Sequence, residues 1–372
     1  MEIAILSDLH LGRRNFRRTI GETNMNAIEY KGYEQWDSCI DKIIEKNPDL
    51  FVISGDFFHT ANPSTLSIEK ARLGLSKIEE AGIKSIVVAG NHDSNLINEK
   101  NKTHPFKNLN IFKNIEFVYN KISYTEDDEN FIVKIPHFNI STDEEMSNFK
   151  TLLNSVVPLL RKNQKKKKIL ITHGVSFSWI QRFINKDKEK MKLDSSTMIF
   201  PDDFLERFDY TIIGHIHKSF VQSKTNKNQT LSKIIVPGST MEDNTLEISI
   251  DELSEDGSTG PLYLDTTSGK IKRDYIESVK LIKRTISSKE ELDKLMSNIG
   301  FHIYSIKYQG GWSDVDLSLY NKAIRNSLNF NLQLRSERKE VQHSSIQGFW
   351  NWLKETYPEN LNEFLKIAKE DK

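Results

Sequence analysis

Five short apolar runs in this chain each end in residues able to bind a metal ion, and no other feature restricts the possible fold as much. The run Glu2–Ser7 leads into Asp8-Leu9-His10, and Leu50–Ser54 leads into Gly55-Asp56-Phe57-Phe58-His59. Ile83–Ala89 leads into Gly90-Asn91-His92-Asp93, Lys168–Thr172 into His173-Gly174, and Tyr210–Ile213 into Gly214-His215-Ile216-His217. Stretches with apolar residues at helical spacing, Tyr33–Lys46 and Leu66–Ala81, separate the early runs and stop near Asn47-Pro48 and Gly82. With a sixth run at Lys233–Val236, this alternation is the βαβ pattern of a parallel sheet, an α/β fold. In an open parallel sheet, sites form beyond the carboxyl ends of the strands. Five segments remote in sequence therefore converge at one edge.

The spacing within the motifs supports a shared site. Asp8 and His10 are two apart in a chain expected to be still extended, which sends both side chains to one side. His215 and His217 repeat the device. Six of the ten histidines fall in these motifs; His104, His137, His302 and His343 lack such a context and are read as structural. Imidazole, carboxylate and amide ligands together suit a first-row divalent ion such as Mn²⁺ or Fe²⁺, whereas an all-oxygen shell favours Mg²⁺ or Ca²⁺. Asp8, His10, Asp56, Asn91, His173, His215 and His217 are too many ligands for one ion, and two ions sharing Asp56 fit the count. Such a pair, about 3.5–4 Å apart, clamps a phosphoryl group and lowers the pKa of a bound water. His92, next to ligand Asn91, is placed to help the leaving oxygen.

The remainder of the chain bounds the setting. At 372 residues it exceeds one ordinary domain, and 37% hydrophobic with 28% charged residues is the composition of a soluble globular protein. No apolar run is long enough to span a membrane, and the opening Met1-Glu2-Ile3-Ala4-Ile5-Leu6 lacks the zones of a signal peptide. The single cysteine, Cys39, cannot form an internal disulfide and suits a reducing cytoplasm; it is expected as a small buried hydrophobe on a helix. The net charge is zero, so any nucleic-acid surface has to be local. Residues 1–244 form the metal-bearing domain. Leu246–Gly269 reads as an acidic hairpin and linker, and Glu277–Leu334 as strand, helix, strand, helix, strand, a compact α+β unit within 245–340. In the last segment, 341–372, Ile346–Ala368 reads as two short helices broken at Tyr357-Pro358.

In their order and content the five motifs resemble the calcineurin-like metallophosphoesterases, a resemblance that covers about residues 1–240. The stretch Asp56-Phe57-Phe58-His59-Thr60-Ala61-Asn62-Pro63-Ser64, and Pro237-Gly238-Ser239 after the last run, resemble more closely the SbcD nuclease family, relatives of the nuclease subunit of the MRN complex. The resemblance implies a two-sheet sandwich flanked by helices, with a smaller α+β capping domain and C-terminal helices. It assigns one ion to Asp8, His10, Asp56 and His217, and the other to Asp56, Asn91, His173 and His215. It implies that His92 assists the leaving group, that His59 supports the site or rotates the substrate phosphate, and that Asp93 orders His92 from behind. It also implies Mn²⁺-dependent DNA cleavage (3′→5′ exonuclease and single-strand endonuclease) in double-strand break processing. A homodimer is implied as well, with an SbcC-type coiled-coil ATPase docked on the C-terminal helices. The same centre serves a phosphatase or phosphodiesterase acting on a protein or small molecule, which is the alternative reading. One departure is the basic loop Arg13-Arg14-Asn15-Phe16-Arg17-Arg18, which reads either as a contact to the DNA backbone or as a solvated loop.

Overall fold

A computed structural model of the chain describes residues 1–15, 18–20, 24–94, 104–140, 142–179, 197–217, 219–225, 231–241 and 259–334. The first apolar run is β1 (Glu2–Leu6). Helix α1 (Ala27–Lys46) follows; it starts six residues before the expected Tyr33 because the Asn26 side chain caps it, accepting from the amides of Ile28 and Glu29. Then come β2 (Leu50–Ser54), α2 (Thr65–Glu80) and β3 (Ser85–Val88). Three strands not expected from the sequence are β4 (Ile115–Val118), β5 (Ser123–Glu126) and β6 (Asn130–Ile135). Helix α3 (Asp143–Lys162) also escaped the sequence reading, although Thr142 and Glu145 form a capping box at its start.

The later motifs lie on β7 (Lys167–His173), β8 (Val175–Ser176), β9 (Ile199–Phe200) and β10 (Tyr210–Gly214), followed by β11 (Phe220–Thr225) and β12 (Leu231–Val236). The hairpin of β13 (Leu262–Asp265) and β14 (Ile271–Arg273) leads into β15 (Leu281–Ile286), α4 (Lys289–Ser297), β16 (Ile303–Tyr308), α5 (Leu317–Asn326) and β17 (Asn329–Leu334).

The strand pattern alone suggests one parallel sheet, but the chain builds two mixed six-stranded sheets, the two-sheet sandwich that the resemblance implied. One runs β14-β13-β1-β2-β3-β4 and the other β11-β12-β10-β7-β6-β5. The central pairs of both are parallel, and the antiparallel strands lie at the edges. The sheets face each other through Ile3, Ile5, Val52, Ile86 and Val88 on one side and Ile169, Ile171, Ile212 and Ile235 on the other. Each of these isoleucines and valines contributes about 1.5–3 kcal/mol by leaving water. The outer face of the first sheet is covered by α1 and α2, which bring Trp36, Cys39, Ile40 and Leu75 onto Ala4, Leu6 and Phe51. These helices close up at Gly74, where a Cβ would fall 2.3 Å from the Trp36 indole nitrogen. Cys39 has no exposure there, and burial pushes its thiol up to about 12, so it is an unreactive core residue.

The hairpin β13–β14 pairs antiparallel with β1, with Glu2 opposite Asp265, so the first sheet runs past the division expected at residue 244. The apolar Leu262, Tyr263 and Leu264 are buried, which the acidic stretch before them disguised. Beyond it, β15, β16 and β17 form an all-parallel three-stranded sheet with α4 and α5. This unit meets the first through Ala27, Ile28 and Met241 packed against Val279, Ile303 and Leu328. The C-terminal segment 341–372, with its expected helices at Ile346–Ala368, lies outside the described residues. Among the described residues no helix is long and apolar enough to cross a membrane.

Candidate metal centre

Because the strands carrying the five motifs are parallel within each sheet, their carboxyl ends reach the same rim of the sandwich. The first three motifs leave the first sheet and the last two leave the second. The backbone there is not extended, contrary to the simple spacing argument. β1 ends at Leu6, and Asp8, His10 and Asp56 take left-handed conformations with φ of 51°, 46° and 50°, while His215 sits at 102°. Four non-glycine residues at positive φ in one small region are costly unless the surroundings hold them. Backbone bonds supply that restraint: Asp8 N–H donates to Gly55 O at 3.1 Å, His10 N–H to Asp56 O at 3.0 Å, and His59 N–H to Leu11 O at 3.1 Å. The first two loops are laced together. Gly90 lets the third approach, since a Cβ would lie 2.2 Å from Asp56 Oδ1.

The proposed ligands meet in two groups. On one side His10 Nε2 and His217 Nε2 are 3.0 Å apart, with Asp56 Oδ2 3.6 Å from His10 Nε2 and Asp8 Oδ1 3.8 Å from His217 Nε2. On the other, Asn91 Oδ1 is 3.0 Å from His173 Nε2 and 3.1 Å from His215 Nδ1, and Asp56 Oδ2 is 3.4 Å from His173 Nε2. Asp56 Oδ1 is occupied, accepting the His92 amide at 2.9 Å. Oδ2 therefore stands between the two imidazole groups. His173 donates its Nδ1–H to the Ser54 carbonyl at 3.0 Å, which turns Nε2 toward the centre.

The donor set fits two divalent ions. Ligand atoms around an ion at about 2.1 Å are about 3 Å from each other in octahedral geometry, and the His10–His217 and His173–Asn91 separations are both 3.0 Å. Asp8 and Asp56 are at most 1% exposed, and buried carboxylates call for compensating charge. Burial alone would raise Asp56, but His173, followed by His10 and His92, holds it well below the usual carboxylate range. Burial also works against a charged His173, yet Asp56 and then Asp8 lift it to about 9. Burial raises Asp8 and keeps His10 well below its ordinary value, and burial with the neighbouring His173 pushes His215 down to about 3. The imidazoles of His10 and His215, held neutral, offer lone pairs, and the carboxylates supply negative charge; a divalent cation takes both and would displace the proton that His173 otherwise carries.

His92 and His59 flank the His10 side, with ring centroids 4.7 Å and 5.5 Å from His10 and 5.4 Å from each other. His92 Nδ1 donates to the His59 carbonyl at 2.9 Å, so that carbonyl fixes the His92 ring. Asp93 acts elsewhere than the resemblance implied. Its carboxylate accepts from the amides of Phe57, Phe58 and Gly90 at 3.2, 2.8 and 2.8 Å, tying the second and third motif loops together.

Some contributors were missed in the sequence. Ser239 of the Pro-Gly-Ser turn donates Oγ–H to Asp8 O at 2.9 Å, and its amide donates to His217 O at 2.8 Å. Ser7 Oγ bonds Asp8 Oδ2, and Thr197 Oγ1 lies 3.2 Å from His215 Nε2. His137, read as structural, is buried with its amide bonded to Ala89 O. It follows β6 directly after Pro136, a signal of the same type as the other motifs. His104 caps the turn at Pro105–Asn108, and its Nε2 lies 3.1 Å from Ser94 Oγ just after the third motif.

The arginines of the basic loop divide. Arg13 reaches the centre electrostatically, lowering His10 and His59. Arg14 pairs with the buried carboxylate of Glu29 at 2.8 Å. Arg18 donates to the carbonyls of Ile324 and Arg325 at the end of α5 and lies over the Phe301 ring, so it joins the two units. Arg17 is outside the described residues.

Comparison with known proteins bears on the family. Residues 1–219 match the calcineurin-like phosphoesterase family. The DNA double-strand break repair protein Mre11 of Methanococcus maripaludis is 30% identical over 253 residues, covering 62% of this chain and 56% of that protein. Mre11 of Sulfurisphaera tokodaii is 29% identical over 217 residues, covering 58% and 49%. A solved dimetal phosphatase from Danio rerio aligns with a TM-score of 0.41 and 8% identity, over 70% of this chain and 91% of that one. The chain spans about half the length of the curated relatives it matches. With the motifs on two facing sheets and more than half of its length matched, the chain belongs to the calcineurin-like phosphoesterase family.

Proposed function

We propose that this chain is a two-metal phosphodiesterase acting on DNA, an exonuclease (3′→5′) and single-strand endonuclease in double-strand break repair. The observation that carries the hydrolytic part is Asp56 Oδ2 standing between His10 and His173, 3.6 and 3.4 Å from their Nε2 atoms. The likeness to Mre11 proteins favours DNA as the substrate. Asp8, His10, Asp56 and His217 would hold one ion and Asp56, Asn91, His173 and His215 the other, with Mn²⁺ the best match to the mixed ligands. When bound, such ions neutralise phosphate charge and make hydroxide available near neutral pH.

The rest of the work falls to side chains of the chain itself. The His59 carbonyl can only accept, so His92 Nδ1 carries a hydrogen and Nε2 is left for the substrate. In the imidazolium state Nε2–H delivers its proton to the departing oxygen, and the bond to His59 persists through the transfer. His59, stacked on His92, limits how that ring can turn. Among the described arginines of the basic loop, Arg13 is the one best placed to meet the phosphate backbone. An SbcC-type ATPase as partner, docking through 341–372, and a homodimer belong to the same proposal.

The test is a side-by-side assay of the full chain with Mn²⁺ on labelled single- and double-stranded DNA and on bis(p-nitrophenyl) phosphate. Metal-dependent cleavage of all three, abolished by chelator, is expected. Hydrolysis of the small ester without DNA cleavage would contradict DNA as substrate and favour a small-molecule phosphodiesterase.

A further inference from the structure

Thr197 lies outside the five motifs, yet it touches a metal-site histidine. Its Oγ1 is 3.2 Å from Nε2 of His215, whose other ring nitrogen, Nδ1, faces Asn91 Oδ1 at 3.1 Å. The backbone of His215 is already set, because its amide donates to both oxygens of Asp8 at 3.1 and 3.2 Å. What remains free is rotation of the ring about its side-chain bonds. A hydroxyl at the far edge of the ring removes that freedom.

The approach of Thr197 is built into the fold. The short parallel pair β8–β9 sets Val175 beside Ile199, and Val175 N–H donates to Met198 O at 2.9 Å. Gly174 makes the closeness possible: its φ is 156°, and a Cβ there would fall 2.4 Å from that same Met198 carbonyl oxygen. The residue after ligand His173 thus draws the 197–198 segment against the ligand from the neighbouring strand.

The geometry points to Thr197 as a positioning residue for the ion held by His173, Asn91 and His215. This rests on the two-ion centre proposed above. Without an ion, Nδ1–H of His215 donates to Asn91 Oδ1, and Nε2 accepts the threonine hydroxyl. With an ion on Nδ1, the hydrogen must sit on Nε2, and the hydroxyl then accepts it. A hydroxyl serves both states because it donates and accepts. A methyl serves neither.

Thr197→Val removes the hydroxyl at nearly constant volume, and Thr197→Ser keeps it. Metal-free full-length protein is titrated with Mn²⁺, read by calorimetry and by the electron paramagnetic resonance of the spin-coupled ion pair. The wild type and the serine variant are expected to take up two ions alike. The valine variant should bind one ion normally and the other 10–100-fold more weakly, a range of about the size seen for such outer partners. Its coupled signal should give way to that of isolated Mn²⁺ below saturation. Two ions bound by the valine variant at wild-type affinity would overturn the proposal, as would equal weakening of both ions. A wild type that binds fewer than two would overturn the two-ion centre and Thr197's role with it.

Discussion

Replacing Asp56 by alanine should remove both ions from the protein and reduce hydrolysis of any phosphate ester to background. Asp56 Oδ2 is 3.6 Å from His10 Nε2 and 3.4 Å from His173 Nε2, one in each ligand group. Losing it removes charge and a donor from both sides at once. Asp56→Asn separates charge from shape, since the amide oxygen can still accept from the His92 amide, as Oδ1 does at 2.9 Å. Without metal it should fold less stably than the parent, because His173, with His10 and His92, favours the Asp56 charge more than Asp8 opposes it. Metal analysis after gel filtration should find well under one ion per chain in the alanine variant. A variant that still carried two would place the shared ligand elsewhere.

His92→Ala should behave in the opposite way, keeping two ions but losing a factor of about 10²–10⁴ in rate on DNA. Its Nδ1 is committed to the His59 carbonyl, and its ring clusters with His10 and His59 instead of with the carboxylates that face His10 and His217. The leaving group supplies the diagnostic. A DNA alkoxide needs a proton as it departs, whereas p-nitrophenolate departs readily without one. The loss should therefore be much smaller on the nitrophenyl ester than on DNA. Equal losses on both substrates, or loss of metal, would assign His92 to holding ions or phosphate instead of proton delivery.

Much of this centre was legible because its signal is local. A strand that ends in a ligand is visible without knowing what the strand pairs with, and Asp8, Asp56, Asn91, His173 and His215 all announce themselves in that way, the last four beside a glycine. The strand–helix order of 281–334 was equally open, since its periodicities alternate cleanly. Two facing sheets were legible only through the family resemblance, not from the strand pattern. Ile3, Val52, Ile171 and Ile212 are buried on a face shared between sheets, and a fully apolar strand reads the same whether a helix or another sheet covers it. The left-handed backbone at Asp8, His10 and Asp56 was hidden for a different reason. Those conformations are imposed by bonds between loops, such as His10 N–H to Asp56 O, and short-range preference argues against them. Thr197 carries no motif and Ser239 stood out only as the end of the Pro237-Gly238-Ser239 turn, and only folding brings them to His215 and Asp8.

The most direct measurement is anomalous diffraction at the manganese edge from crystals of the full chain grown with Mn²⁺. Two peaks are expected, one on either side of the Asp56 carboxylate. One should lie within bonding distance of His10 and His217, and the other within bonding distance of His173 and His215. A single peak, or a second one that shares no ligand with the first, would contradict the two-ion centre.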